Sequence, residues 1–134
     1  MQVEGVHHVS INLASVEDAE RFYGKLLGLT PIERPDFGIP GVWFQAGSIQ
    51  LHVIVPPADA QVGTRAPSLN PIASHIAFEV RDYEAAREAL EREGVEILGL
   101  GAEVGQLFVR DPGGNVVELI QPGGRLGRSE GAEP

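Results

Sequence analysis

Hydrophobic and polar residues alternate strictly at the start of the chain. Within residues 6–13, His8, Ser10 and Asn12 fall on one face of an extended backbone, and Val9, Ile11 and Leu13 fall on the other. This period of two predicts a β-strand whose polar face is turned towards a cavity or solvent. Apolar residues at helical spacing follow, with Ser15 as N-cap and Gly28 as C-terminal stop.

Three more strands are predicted in the first half, over residues 30–34, 42–46 and 49–55. The last two read as a hairpin, because Gly47 and Ser48 between two apolar runs favour a tight turn. The element order of the first half is therefore βαβββ.

The same pattern restarts at His75. A strand over residues 75–80 leads to Asp82 as N-cap, a helix that stops at Gly94, and strands over residues 95–98, 106–110 and 116–121. Half of the chain length separates His8 from His75, and nearly the same interval separates His52 from Glu118. Such self-similarity indicates two copies of one supersecondary unit.

The repeat predicts the domain organisation and the fold class. Module 1 covers residues 5–56, a proline-containing linker residues 57–73 and module 2 residues 74–122, while the glycine-rich, charged residues 123–134 are expected to be disordered. Both modules belong to one α+β domain. Each sheet has its helix on one face, so the two copies are expected to join or pack around a shared space.

Candidate metal ligands recur at equivalent points of the two modules: His8, His52, His75 and Glu118. Imidazole is the commonest protein ligand of divalent metals, and Glu118 stands in an apolar strand where an unpaired carboxylate is costly to bury. Two imidazoles and one carboxylate form a facial triad suited to Ni, Zn, Co, Mn or Fe. Gln50 lies on the same strand face as His52 and is either an alternative ligand or a hydrogen-bond partner of His52. His7 lies on the opposite face of its strand from His8 and is interpreted as a non-ligand.

Composition narrows the classes of function. The formal charge of −9 disfavours nucleic acid and anionic membrane as partners. The absence of cysteine excludes disulfides, thiolate metal sites and a cysteine nucleophile. With neither a long apolar run nor a recognisable secretion signal, we expect a soluble, cytoplasmic protein.

The motifs resemble the vicinal oxygen chelate superfamily, which includes glyoxalase I, extradiol dioxygenases, methylmalonyl-CoA epimerase, fosfomycin-resistance enzymes and bleomycin-binding proteins. The residues that carry this resemblance are His8-Val9-Ser10-Ile11, Asp18-Ala19-Glu20-Arg21-Phe22-Tyr23, Leu27-Gly28-Leu29, His75-Ile76-Ala77-Phe78-Glu79-Val80 and Asp111-Pro112-Gly113-Gly114-Asn115-Val116-Val117-Glu118-Leu119. The resemblance covers residues 5–122 and implies two βαβββ modules in a U-shaped half-barrel. It also implies a homodimer, a small-molecule substrate and metal ligands at His8, His52, His75 and Glu118.

The reaction that the resemblance implies is chelation of two adjacent substrate oxygens by a divalent metal, which stabilises an oxyanion. Glu118 is the expected metal ligand and general base of a glyoxalase-like lyase or isomerase. Departures from known members leave the reaction open: His52 stands where bacterial glyoxalase I has glutamate, and residues 42–45 lack the second carboxylate of the epimerase. The alternatives are a small Fe(II) dioxygenase using His8, His75 and Glu118, and a drug- or metabolite-binding protein.

Aromatic residues in the predicted strands bear on the binding alternative. Trp43, Phe44 and Phe108 are candidates for the lining of an apolar pocket in a protein that sequesters its ligand without turnover. The competing interpretation places these rings in the core, where strand aromatics are more often found.

Overall fold

The computed structural model describes residues 1–123, and the chain divides into two compact units, Met1–Thr64 and a second that begins at Arg65. Apart from Gly123, the predicted disordered tail lies outside the described residues. Each unit contains one four-stranded mixed sheet with helix on it, so the predicted α+β class and the βαβββ order are both confirmed.

The first unit contains strands β1 to β4 and one helical segment. The strands are β1 (His8–Asn12), β2 (Thr30–Ile32), β3 (Gly41–Ala46) and β4 (Ile49–Ile54). They are ordered β1-β4-β3-β2, with β1 parallel to β4 and the other pairs antiparallel. The hairpin between β3 and β4 turns at Gly47, whose φ of 59° lies in the left-handed region that glycine enters without steric cost.

The helical segment of the first unit departs from the predicted α-helix. Helix α1 (Val16–Ala19) starts as expected, because the Ser15 side chain accepts a hydrogen bond from the Asp18 backbone N–H. It then continues as a π-helix over Glu20–Leu26. The wider turn is consistent with two adjacent aromatic residues being buried together, since Phe22 is 5% exposed and Tyr23 is not exposed at all.

The second unit repeats the plan with strands β5 to β8 and helix α2. The elements are β5 (His75–Glu79), α2 (Tyr83–Arg92), β6 (Leu98–Gly99), β7 (Gln106–Arg110) and β8 (Val116–Ile120). The sheet order is β5-β8-β7-β6, again with the first strand parallel to the last and the remaining pairs antiparallel. The Asp82 side chain caps α2 by accepting from the Ala85 backbone N–H, as predicted.

Strand β6 is shorter and later than the predicted strand over residues 95–98. Gly94, at a φ of 71°, ends α2, and the Val95 backbone N–H then donates to the Leu90 carbonyl. Val95 is therefore part of the helix stop and does not join the sheet. Pairing with β7 begins only at Leu98.

Register shows which positions of the two sheets are equivalent. In the first sheet His8 pairs with Gln50 and Ser10 with His52, while in the second His75 pairs with Val116 and Ala77 with Glu118. His8 thus corresponds to His75, and His52 to Glu118. The strands beside them continue the match, because Trp43 faces His52 as Phe108 faces Glu118.

Each unit has a set of buried apolar side chains, which in the first sheet lie on one face and in the second on both. In the first unit they are Leu13, Ala19, Phe22, Tyr23, Phe44, Leu51 and Val53, and in the second Tyr83, Leu90, Leu107, Phe108, Val109, Val116, Val117 and Leu119. Phe44 and Phe108 belong to this buried set, as their core interpretation predicts, whereas Trp43 is only half-buried.

Over residues 1–123, no helix has the length and hydropathy needed to cross a membrane.

Candidate functional site

Glu118 is a buried carboxylate in the middle of β8. It is 6% exposed, and the residues on both sides of it along the strand are fully buried or nearly so. Both of its oxygens have a partner: Oε1 lies 3.0 Å from His75 Nε2, and Oε2 accepts a hydrogen bond of 2.7 Å from Gln106 Nε2. A carboxylate in such surroundings is stable only when each oxygen is matched in this way.

His75 is held in a defined orientation at the start of β5. Its Nδ1 lies 2.7 Å from the Ala73 carbonyl oxygen, which can only accept, so Nδ1 carries the proton. In the neutral ring the lone pair is therefore on Nε2, and it points at Glu118 Oε1. The edge of the His75 ring also meets Phe108 at right angles, with 5.4 Å between the ring centroids.

A tight turn sets the position of β8 relative to β7. Asp111 Oδ1 accepts from the backbone N–H groups of Gly113 and Asn115, and Oδ2 accepts from the Asn115 side-chain amide. Asp111 is 5% exposed. Because this turn joins the strands that carry Gln106 and Glu118, it fixes which residue of β7 lies beside the carboxylate.

In the first unit His52 occupies the position equivalent to Glu118 and is equally buried, at 6% exposure. Its Nε2–H donates to Gln50 Oε1 at 2.8 Å, which leaves Nδ1 with the lone pair. Gln50 thus acts on His52 in this structure as an acceptor that orients the ring. That contact favours the interpretation of Gln50 as a partner of His52 over its interpretation as a replacement ligand.

Three rings form a continuous stack on this sheet. Trp43 and His52 are nearly parallel with centroids 3.9 Å apart, and His52 and His8 follow at 4.0 Å. His8 Nδ1 in turn lies 2.9 Å from Nδ1 of His7, so His7 contacts a candidate ligand although it precedes β1. Phe37 extends the aromatic surface beyond Trp43 and is 59% exposed.

Burial lowers the pKa of His52 from its usual value, and repulsion from the neighbouring His8, His7 and Arg34 lowers it further. The ring is therefore neutral at pH 7. A neutral imidazole is the form that binds a metal ion, since the protonated ring has no free lone pair.

Each unit thus brings together one pair of the predicted ligands: His8 with His52, and His75 with Glu118. Within residues 1–123 no three histidine or carboxylate side chains converge closely enough to hold a metal ion, so the four-residue ligand set stays a prediction. The donors themselves fit a divalent ion. They are nitrogen and oxygen groups, and His75 shows the backbone-anchored Nδ1–H that metal-binding histidines typically have.

Sequence reasoning missed Gln106 and the stacking of Trp43 on His52. The alternation of faces along β7 could have indicated Gln106. Phe108 pairs with Glu118, and Gln106, two residues before Phe108, lies on the same face of the sheet. Using that signal requires the register of the β7–β8 hairpin, which the Asp111 turn determines.

A sequence model of the Glyoxalase/Bleomycin resistance protein/Dioxygenase superfamily matches residues 5–119. The chain belongs to this superfamily. The resemblance in the sequence motifs is confirmed, and the match includes both units with all four candidate ligands.

Two members of the superfamily illustrate the range of its activities. The chain is 29% identical over 125 residues to "Glyoxylase I 4" of Arabidopsis thaliana, covering 89% of this chain and 71% of that protein. It is 28% identical over 129 residues to an ethylmalonyl-CoA/methylmalonyl-CoA epimerase of Cereibacter sphaeroides, covering 87% of this chain and 96% of that protein.

Solved structures agree on the fold. A glyoxalase family protein from Bacillus anthracis matches with a TM-score of 0.72 at 26% identity, covering 90% of this chain and 97% of that one. The fosfomycin resistance protein FosX from Listeria monocytogenes matches with a TM-score of 0.71 at 15% identity, covering 93% of this chain and 94% of that one, and at that identity it supports the fold alone.

Proposed function

We propose that the protein is a divalent-metal-dependent enzyme of the glyoxalase type, a lyase or isomerase acting on a small metabolite that offers two adjacent oxygens. The observation that carries the proposal is the contact between His75 Nε2 and Glu118 Oε1 at 3.0 Å. With Nδ1–H engaged by the Ala73 carbonyl, His75 turns its other basic nitrogen, Nε2, towards a carboxylate oxygen. Two such groups attract each other only through a proton or a cation.

The proposal extends to the other pair of candidate ligands, His8 and His52 of the first unit. The proposed ligands are His75 and Glu118 from the second unit and His8 and His52 from the first. His52 is neutral at pH 7 because burial and nearby positive charge lower its pKa. In the absence of cysteine, these nitrogen and oxygen donors suit Ni, Zn, Co, Mn or Fe.

A bound divalent ion supplies Lewis-acid stabilisation of the negative charge that develops on a substrate oxygen. The chain supplies the proton transfer. Glu118 takes a proton from the carbon beside the substrate carbonyl and returns it to the same or the neighbouring carbon. Glu118 is only 6% exposed, which limits the access of bulk water to its carboxylate, and the hydrogen bond from Gln106 holds it in place.

The first test is the metal content of the protein purified without chelator, measured by elemental mass spectrometry. We expect about one Ni, Zn, Co or Mn per chain in the wild type and in Glu88→Ala, which removes an exposed carboxylate on α2. His75→Ala and Glu118→Ala should both lose the metal. A wild type that contains no metal and takes none up on titration would overturn the proposal, whereas iron together with oxygen uptake on catechols would indicate the dioxygenase.

The second test follows the proton transfer. Methylmalonyl-CoA, a substrate named for a 28% identical relative, and hemithioacetals of 2-oxoaldehydes are incubated with metal-loaded protein in D2O. Deuterium uptake at the carbon beside the carbonyl that disappears in Glu118→Gln supports Glu118 as the base. Uptake that persists in Glu118→Gln contradicts that role.

A binding protein without turnover is the second candidate, and the aromatic surface of the first unit favours it. Phe37 is 59% exposed beside Trp43, and Trp43 stacks on His52. Equal ligand binding by the wild type and Glu118→Ala, with no product formed, would support this candidate.

The expected homodimer rests on the family resemblance, and analytical ultracentrifugation of the purified chain measures its oligomeric state.

A further inference from the structure

The contact between Gln106 and Glu118 has no counterpart in the first unit. Gln106 Nε2 donates to Glu118 Oε2 at 2.7 Å. By register, Gln106 pairs with Ile120 as Gly41 pairs with Ile54, so Gly41 is its equivalent in the first sheet. That sheet forms the same four strands with no side chain at this position. A sheet of this strand order therefore forms in the first unit without an amide at this position.

The orientation of the Gln106 amide indicates its role. Oε1 of Gln106 is buried and has no hydrogen-bond partner among residues 1–123. Rotating the amide by half a turn would place this oxygen against Glu118 Oε2, which is also an acceptor, so the nitrogen has to face the carboxylate. The observed orientation leaves Gln106 Oε1 buried without a donor, and it gives Glu118 Oε2 a hydrogen bond.

We infer that Gln106 is a positioning residue for Glu118, and this inference rests on the proposed metal-dependent function. By holding Oε2, the amide prevents rotation of the carboxylate and leaves Oε1, the oxygen that faces His75, as the one presented to the metal. Gln106 acts through Glu118, and this role requires no contact between Gln106 and the substrate. Groups that orient a metal ligand in this way commonly contribute 10- to 100-fold to metal affinity.

The test is a Co(II) titration of the full chain, followed by the absorption bands of the bound ion. Gln106→Met keeps the length of the side chain and removes the donor. We expect it to bind Co(II) about 10-fold more weakly than the wild type and to change the intensity or position of the bands. A change in the bands reports the surroundings of the ion, which a loss of stability in a still-folded protein does not alter.

Gln45→Met is the matched control. Gln45 lies on β3, and its amide donates to the carbonyl oxygens of Gly47 and Ile49. The affinity and the bands of this variant should equal those of the wild type. If Gln106→Met fails to fold, Gln106→Gly takes its place, since the first unit folds with glycine at the equivalent position.

Three results overturn the inference, and they are distinguishable. Wild-type affinity and bands in the folded Gln106 variant refute the positioning role and leave the proposed function standing. Absence of Co(II) binding by the wild type refutes the proposed function, and the inference falls with it. Unfolding of both Gln106 variants shows that the fold itself needs the amide.

Discussion

Removing the Asp111 side chain should destabilise the protein strongly, although the residue lies in a turn. Asp111 is 5% exposed, and its carboxylate accepts hydrogen bonds of 2.8 to 2.9 Å from the backbone N–H groups of Gly113 and Asn115 and from the Asn115 amide. Hydrogen bonds to charged groups contribute about 1.5–3 kcal/mol, and bonds whose donors are only half-buried, as here, lie at or below the lower end of this range. The expected loss in the free energy of unfolding for Asp111→Ala is therefore about 3–4 kcal/mol.

Urea denaturation followed by far-ultraviolet circular dichroism measures this loss. With an m-value of about 1.5 kcal/mol per molar, the midpoint should fall by roughly 2 M. Circular dichroism is preferred to fluorescence because Trp43, the single tryptophan, lies in the first unit while Asp111 lies in the second. Asp111→Asn should lose about 1 kcal/mol, because the amide oxygen still accepts from the two backbone groups.

Asp36→Ala provides the matched control. Asp36 Oδ1 accepts a 2.9 Å bond from the backbone N–H of Gly38, the same two-residue arrangement that Asp111 makes with Gly113, but Asp36 is exposed. Its removal should cost less than about 0.5 kcal/mol, as for most surface substitutions. Equal losses in Asp36→Ala and Asp111→Ala would refute the argument that burial of the carboxylate makes these bonds matter.

Three further predictions test other parts of the structure. Gly99→Ala would place a methyl carbon 2.6 Å from the Tyr83 hydroxyl oxygen, so we expect a loss of about 1–3 kcal/mol in thermal unfolding; an unchanged melting temperature contradicts the contact. Asp82→Ala removes the N-cap bond to the Ala85 N–H and should cost about 1 kcal/mol, measured in urea against Asp82→Asn, which keeps an acceptor. In metal-free protein, the His52 imidazole followed by NMR should titrate at a lower pH than in the urea-unfolded chain, because burial lowers its pKa; a midpoint at or above the unfolded value would be inconsistent with this burial.

The parts of the fold that were predictable from the sequence depend on local physics. Strict alternation identified β1 and the Ser15 and Asp82 caps identified both helix starts, because these signals act within a few residues. The π-helix over Glu20–Leu26 was missed since it is associated with the burial of Phe22 and Tyr23 together, which depends on what packs against them. The late start of β6 was missed because Val95 takes part in the helix stop.

The candidate site was also predictable from the sequence only in part. The repeat singled out His8, His52, His75 and Glu118 by chemistry and spacing, and the register places them at equivalent points of the two sheets. Their hydrogen-bond partners depend on side-chain direction and on the neighbouring strand, which spacing along the chain does not contain. The roles of Ala73 and Gln106 therefore became visible only in the structure.

The two sheets together show why equivalent positions need different neighbours. An imidazole can be buried with one nitrogen bonded and its faces against other rings, and His52 does this with Gln50, Trp43 and His8. A carboxylate has two oxygens that both require a donor or a cation, so glutamate at the same position needs partners on both sides. Gln106 supplies one of them where the first sheet has glycine. The other oxygen, Oε1, lies 3.0 Å from His75 Nε2 on the neighbouring strand, so β7 and β5 each supply one partner for the carboxylate.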